Sequence, residues 1–177
     1  NTCVANLTGD YFGTGMMAAD FFLRKGYTRF AYYGYPDTIW MRERGEGFRK
    51  KVQDTGRPIY MFNEDAYRNP DEKWSFDANA VSNWLLNLPK PMALFACDDY
   101  FALQIVEACK MNDIDIPGEI AVLGVDNDDL LCNISDPTLS SIELDVENGG
   151  YEAGRILHQF IEKKISSLSD VVINPIR

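Results

Sequence analysis

Basic residues are in short supply: 17 lysines and arginines stand against 27 aspartates and glutamates, a formal charge of −10. Phosphate backbones are gripped by clustered Lys and Arg, so this chain is not expected to hold nucleic acid itself. Histidine is scarcer still. His158 is the only one, lies near Leu157 and Phe160, and reads as structural or exposed. With no G-x-S-x-G elbow, hydrolase chemistry of the triad type loses its nucleophile and its base. The four cysteines, Cys3, Cys97, Cys109 and Cys132, lack paired metal-ligand spacing, and buried free thiols in a reducing cytosol are expected. No apolar run approaches the ~20 residues of a membrane span, and no signal peptide pattern opens the chain, so a soluble domain without a membrane partner is expected. The first residue is Asn1 rather than Met, which suggests a fragment or a processed product. Two Asn-X-Ser/Thr tripeptides, at Asn6 and Asn133, matter only in a secreted protein.

What is present is enough for a core. A chain of 177 residues, 46% hydrophobic and 12% aromatic, can bury one of its own, and its length suggests one domain. Apolar residues at helical spacing predict helices over Thr8–Lys25 (Phe12, Met16, Ala19, Leu23), Met41–Asp54 (Phe48, Val52) and Ser75–Leu88 (Val81, Trp84, Leu85, Leu88). Two more are marked by Ala102, Ile105, Val106 and Cys109, and by Ala153, Ile156, Leu157 and Phe160. Between them lie predicted strands at Thr28–Gly34, Arg57–Phe62, Met92–Cys97, Glu119–Val125, Leu139–Leu144 and Val171–Ile173. Strands alternating with helices of this length predict right-handed crossovers, hence a three-layer αβα fold on a mainly parallel sheet.

Two apolar strands end abruptly in acid: Met92–Cys97 runs into Asp98 and Asp99, and Glu119–Val125 into Asp126. In open α/β sheets, ligands lie beyond the carboxyl ends of parallel strands, so these carboxylates are placed where recognition happens. Asp98 and Asp99 suit Mg²⁺ or phosphoryl transfer; the alternative is capping of the following helix, and one of the pair is expected to cap while the other faces ligand. Asp126, Asn127, Asp128 and Asp129 lack the spacing, glycine and distal Glu of a calcium loop, whereas a carboxylate there suits a polyol. Gly9, Gly13 and Gly15 fit a tight start to a helix better than a phosphate cradle, since no Lys-Ser or Lys-Thr follows. Arg44 is open to two readings. It can fork onto vicinal hydroxyls with Trp40 as a stacking plate, or pair with Glu on a solvated helix face. Tyr60, Phe62, Tyr67 and Trp74 are either core or the wall of a cleft.

Together, Asp10, Arg24-Lys25-Gly26-Tyr27, Arg29–Gly34, Glu43–Phe48, Ala96–Asp99 with Ala102-Leu103, Pro117–Asn127 and Leu139–Ile142 resemble the effector-binding domain of LacI/GalR-type regulators. That domain is itself similar to periplasmic sugar-binding proteins. Tyr32–Pro36, Trp40, Glu43-Arg44 and Leu139–Ser141 look most like the xylose-responsive regulators that carry an AraC-type DNA-binding end. The resemblance implies a periplasmic binding protein type I lobe, with residues 1–177 forming the C-terminal subdomain. It implies a sugar site lined by Arg44, Asp98, Asp126, Asp10, Trp40 and Tyr67, with no catalytic residue, no metal and no cofactor. Asp98 stands where lactose-repressor-like members carry Asn, so a different ligand preference is implied. Partners implied are a sugar effector, with a pentose among the candidates, DNA through a separate domain absent from this chain, and a second copy in the full-length protein. The implied mechanism is ligand-driven lobe closure in the cytoplasm, with half a cleft binding weakly alone. Two other readings make different demands: a transporter's solute-binding protein needs an export signal, and an Mg²⁺-dependent phosphotransfer or phosphatase domain needs Asp98 and Asp99 at one metal.

Overall fold

The three longest apolar runs become the centre of a sheet. In the computed structural model, which describes residues 5–36, 38–62 and 78–176, strands β2 (Phe30–Tyr33), β4 (Met92–Ala96) and β5 (Ile120–Val125) are buried at every position. Such runs are what strands covered on both faces require. They pair in parallel, flanked by β3 (Ile59–Met61) at one edge and β6 (Ser140–Ile142) at the other, in the order β3-β2-β4-β5-β6. Side chains alternate between faces. Phe30, Tyr32, Ala93, Phe95, Ala121 and Leu123 enter one core beneath α1 (Tyr11–Arg24) and α2 (Ile39–Gln53). Ala31, Tyr33, Leu94, Ala96, Ile120 and Val122 enter the other, beneath α3 (Ala78–Asn87) and α4 (Asp99–Met111). The expected three-layer parallel fold is therefore the observed one. Winding reverses between β2 and β4, which fixes a crevice beyond their carboxyl ends.

Helix α1 shares only Ala19 with its predicted stripe among its fully buried residues. Thr14, Gly15, Ala18, Ala19 and Phe22 are inside, while Phe12 is 40% exposed. Small residues win because α1 lies backbone to backbone on α2. A Cβ at Gly15 would overlap the Arg44 carbonyl oxygen, and one at Gly47 the Phe12 carbonyl oxygen. The predicted stripes of α3 and α4 are buried as expected, and Cys97 and Cys109 are buried free thiols.

Two elements were not expected. Residues Leu7–Gly9 form β1, paired in parallel with β7 (Val171–Ile173) as a separate two-stranded ribbon, and Asp129–Ile134 form a short helix, α5. Helix α6 (Val146–Ile161) leads from the sheet to that ribbon. The helix is where Ala153, Ile156, Leu157 and Phe160 marked one, but only Gly149 of it is fully buried and Leu157 is 50% exposed. No described helix is long and apolar enough to cross a membrane.

Candidate functional site

Trp40 and Arg44 sit one helical turn apart near the start of α2 and so share a face. That face meets the ends of β4 and β5. The Arg44 side chain is almost wholly buried: Nη1 donates to the Cys97 carbonyl at 2.5 Å and Nη2 to Asp126 Oδ1 at 3.1 Å. Its Cζ lies 5.3 Å from the Trp40 ring centroid and 5.8 Å from that of Tyr11, so both rings attract it by cation–π interaction. Nε is buried with no hydrogen-bond partner among the described residues. A buried N–H left unpaired is costly, and an incoming acceptor relieves that cost.

Asp98 follows β4 in extended conformation, and its Oδ1 accepts from the Phe101 N–H at 2.8 Å, capping α4. Asp126 follows β5 with φ of 100° and Asn127 with φ of 51°, a reversal that turns the Asp126 carboxylate back toward Arg44. These groups border one hollow of about 290 Å³, lined by Gly9, Tyr11, Trp40, Arg44, Asp98, Asp126, Leu144 and Ile173. A second hollow of about 290 Å³ lies beside the start of β5, but Phe21, Tyr27, Val106, Ile116 and Leu139 line it and no carboxylate does. Chemistry, not size, distinguishes the two.

Of the six residues expected at the site, Arg44, Asp98, Asp126 and Trp40 converge. Asp10 caps α1 by accepting from the Gly13 N–H at 2.8 Å and does not line the hollow, although its neighbours Gly9 and Tyr11 do. Tyr67 and Trp74 lie outside the described residues. Phe62 is core, against Tyr33 and Trp84. The expected division of labour between the paired acids is corrected: Asp98 both caps α4 and faces the hollow, whereas buried Asp99 does neither. Its carboxylate accepts from Ser141 Oγ at 2.6 Å and from the Asp128 N–H at 2.8 Å, so the two acids do not share a metal-binding geometry. Among the described residues no three His, Cys, Asp or Glu side chains gather as a metal site. Tyr11, Gly9, Leu144 and Ile173 were missed. Tyr11 beside the helix-starting Asp10 was the one available signal; the others are brought in by the ribbon and by the segment after β6.

One guanidinium between two carboxylates leaves the hollow net negative, which disfavours anions and favours hydrogen-bond donors. Burial raises the Asp98 carboxyl above its ordinary value and Asp126 adds to this, while the Phe101 N–H and Arg44 act against it. Burial likewise pushes the Cys97 thiol well up, which keeps it from acting as a nucleophile. A raised carboxyl in the folded state binds its proton more tightly than in the unfolded chain. The stability this contributes is complete below 3.8 and is lost as pH rises through the folded value. Asp98→Asn keeps the cap and cannot ionise. It is expected to raise Tm at pH 7 in thermal melts, with no gain below about pH 4. A gain that shrinks as pH rises would contradict the origin given for it.

Comparison with known proteins places the chain. Residues 19–177 match the sequence pattern of the periplasmic binding protein-like domain. The chain belongs to that family. Within it, the domain is 31% identical over 156 residues to the xylose operon regulatory protein of Escherichia coli K12, covering 86% of this chain and 39% of that protein. It is 29% identical over 163 residues to the protein of the same name in Haemophilus influenzae, covering 90% and 42%. The chain thus spans about two fifths of the length of these curated relatives. The solved structure of a xylose-binding transcription activator aligns with 96% of this chain and 45% of its own, at 28% identity and a TM-score of 0.75. A periplasmic binding protein/LacI transcriptional regulator from Alkaliphilus metalliredigens, complexed with D-xylulofuranose, shares the fold at a TM-score of 0.73, 19% identity and 96% and 62% coverage. The kinship expected from the sequence is therefore found: the relatives that this periplasmic binding protein-like domain resembles in sequence are transcription regulators.

Proposed function

We propose that this domain is the C-terminal lobe of a cytoplasmic sugar-sensing transcription regulator, and that Arg44, Asp98 and Asp126 hold the hydroxyl groups of a neutral sugar against Trp40. The observation that carries this is the buried Arg44 guanidinium, close to two aromatic rings, with Nε unpaired, at a hollow that the Asp98 and Asp126 carboxylates also line. Ionised carboxylates accept hydroxyl protons more strongly than neutral acceptors do, and aromatic faces suit the C–H side of a sugar ring. The names of the xylose regulators favour a pentose among sugars. The apolar side chains left open on β1, α6 and β7, including Leu7, Val146, Leu157, Ile161 and Val172, favour a missing lobe on that side.

In this reading the cleft is completed by the other lobe, and ligand shifts the population toward the closed arrangement, with no bond made or broken. Closure is relayed to a DNA-binding domain outside this chain and to a second copy of the regulator. A thermal-shift screen of pentoses and hexoses on the full-length protein tests the reading, followed by calorimetry with the best sugar. Asp126→Ala is expected to weaken that sugar by about 1–3 kcal/mol, the worth of charged hydrogen bonds. No shift with any sugar, or wild-type affinity in Asp126→Ala, would end the proposal.

A further inference from the structure

The turn that presents Asp126 is held open by groups that do not reach the hollow. Positive φ at two consecutive residues that are not glycine costs of order 1–3 kcal/mol each and persists only when the surroundings over-determine it. Three successive backbone donors supply that constraint. The Asp126 N–H donates to the Ile142 carbonyl at 2.9 Å, the Asn127 N–H to Ser141 Oγ at 2.9 Å, and the Asp128 N–H to Asp99 Oδ2 at 2.8 Å. Ser141 Oγ in turn donates its proton to Asp99 Oδ1 at 2.6 Å. One buried carboxylate therefore orients a hydroxyl that fixes the second amide, and fixes the third amide itself.

The local sequence makes room for this. A Cβ at Gly124 would overlap Asp99 Oδ1, so glycine in the last turn of pleat before Val125 lets the carboxylate lie against β5. Capping of α4 does not explain Asp99, since Asp98 supplies the side-chain cap. Every hydrogen bond recorded for the Asp99 carboxylate goes to β6 or to residues 128 and 132. The ion pair to Arg44 is no substitute, because the Asp126 side chain is 50% exposed and such pairs contribute little.

We infer that Asp99, acting through Ser141 and the Asp128 amide, is a positioning residue that locks the Asp126 carboxylate in its ligand-facing conformation. The inference rests on the sugar-binding reading above and adds to it two residues that need not touch ligand. The test uses the full-length protein and D-xylose as probe, with Ser141→Ala, Ser141→Thr, Asp99→Asn, Asp126→Ala and the Ser141→Ala/Asp126→Ala double variant. Ser141→Ala and Asp99→Asn are expected to weaken xylose by about tenfold. Ser141→Thr, which keeps the hydroxyl, should stay within about twofold. In the Asp126→Ala background, Ser141→Ala should cost nothing further, whereas a general loss of stability would subtract in both backgrounds. Hydrogen exchange of the segment spanning Asn127 and Asp128 should accelerate in Ser141→Ala while that of β4 and α4 is unchanged.

Wild-type affinity and wild-type exchange in Ser141→Ala would overturn the inference, and Asp126→Ala would still judge the sugar reading. Equal losses from Ser141→Ala with and without Asp126 would also overturn it. If the wild-type protein binds no xylose, the result strikes xylose as the effector, and only failure of every sugar in the screen strikes the sugar reading. The exchange arm then decides whether Asp99 and Ser141 hold the turn.

Discussion

Replacing Arg44 with alanine in the full-length protein is expected to cost about 3 kcal/mol of effector affinity, roughly 150-fold, measured by calorimetry. The side chain supplies two buried charged donors whose directions are fixed by the Cys97 carbonyl and by Asp126, and a third donor, Nε, that nothing in the described protein satisfies. Its removal also leaves Asp98 and Asp126 facing each other without the cation that separates their charges. Lysine should not restore binding. An ammonium is a point charge that cannot span two acceptors as a planar fork does, nor offer a delocalised plane to the rings of Tyr11 and Trp40. A modest fall in stability, about 1–2 kcal/mol, should accompany the change as the Cys97 carbonyl loses its partner. Affinity must fall by more than stability. An Arg44→Ala protein that melts early yet binds normally would make Arg44 a structural strut.

The second large effect is expected from a single methyl group at the contact between α1 and α2. Gly47→Ala places a Cβ against the Phe12 carbonyl oxygen, a backbone atom that cannot swing aside as a side-chain tip would. Helix propensity alone would make glycine to alanine favourable by about 1 kcal/mol at a helix interior. Overlap between the helices should reverse that sign and destabilise by about 1–3 kcal/mol in denaturant unfolding. Gly15→Ala, whose Cβ meets the Arg44 carbonyl oxygen, should do the same. Because α2 carries both Trp40 and Arg44, either change should also weaken sugar binding by separating α2 from α1. Gly154→Ala on α6 is the control: its Cβ meets nothing within 4 Å, and it should stabilise by about 0.5–1 kcal/mol. Equal behaviour at positions 47 and 154 would show that close approach of the helices is not what glycine serves.

The fold was legible where burial is complete. Strands β2, β4 and β5 are unbroken apolar runs because both of their faces are covered, and the stripes of α3 and α4 face a single core. Periodicity misled on α1, where contact with α2 selects small residues over large ones, so Phe12 is outside and Gly15 inside. On α6 the apolar face is only half covered among the described residues: Ala153, Ile156 and Phe160 are half-buried and Leu157 is exposed. The strand β1 was illegible because three residues become a strand only through pairing with β7 at the other end of the chain. Helix α5 was hidden in an acidic stretch that reads as a turn, although Asp128 accepts from the Leu130 and Leu131 N–H groups as a cap should.

For the site, Asp98 and Asp126 were marked by local chemistry, since an acid that closes a buried strand must sit at the sheet's mouth. Arg44 was not. Its neighbours Glu43 and Glu46 suit a solvated face equally well, and only resemblance to a known family favoured a ligand role over that face; the guanidinium is in fact buried rather than solvated. The roles of Asp98 and Asp99 could not be divided from sequence, because which of two adjacent acids caps a helix depends on where the strand stops. Tyr11 and Ile173 reach the hollow through tertiary placement of α1 and the ribbon, which no local pattern encodes.

The decisive measurement is a crystal structure of the full-length protein with the tightest sugar from the screen. Hydroxyl oxygens within about 3 Å of Arg44 Nε or Nη and of the Asp98 and Asp126 carboxylates, with the ring beside Trp40, are the predicted result. A sugar seated elsewhere, with the Arg44–Asp126 pair closed and the hollow between α2 and the ribbon empty, would contradict it.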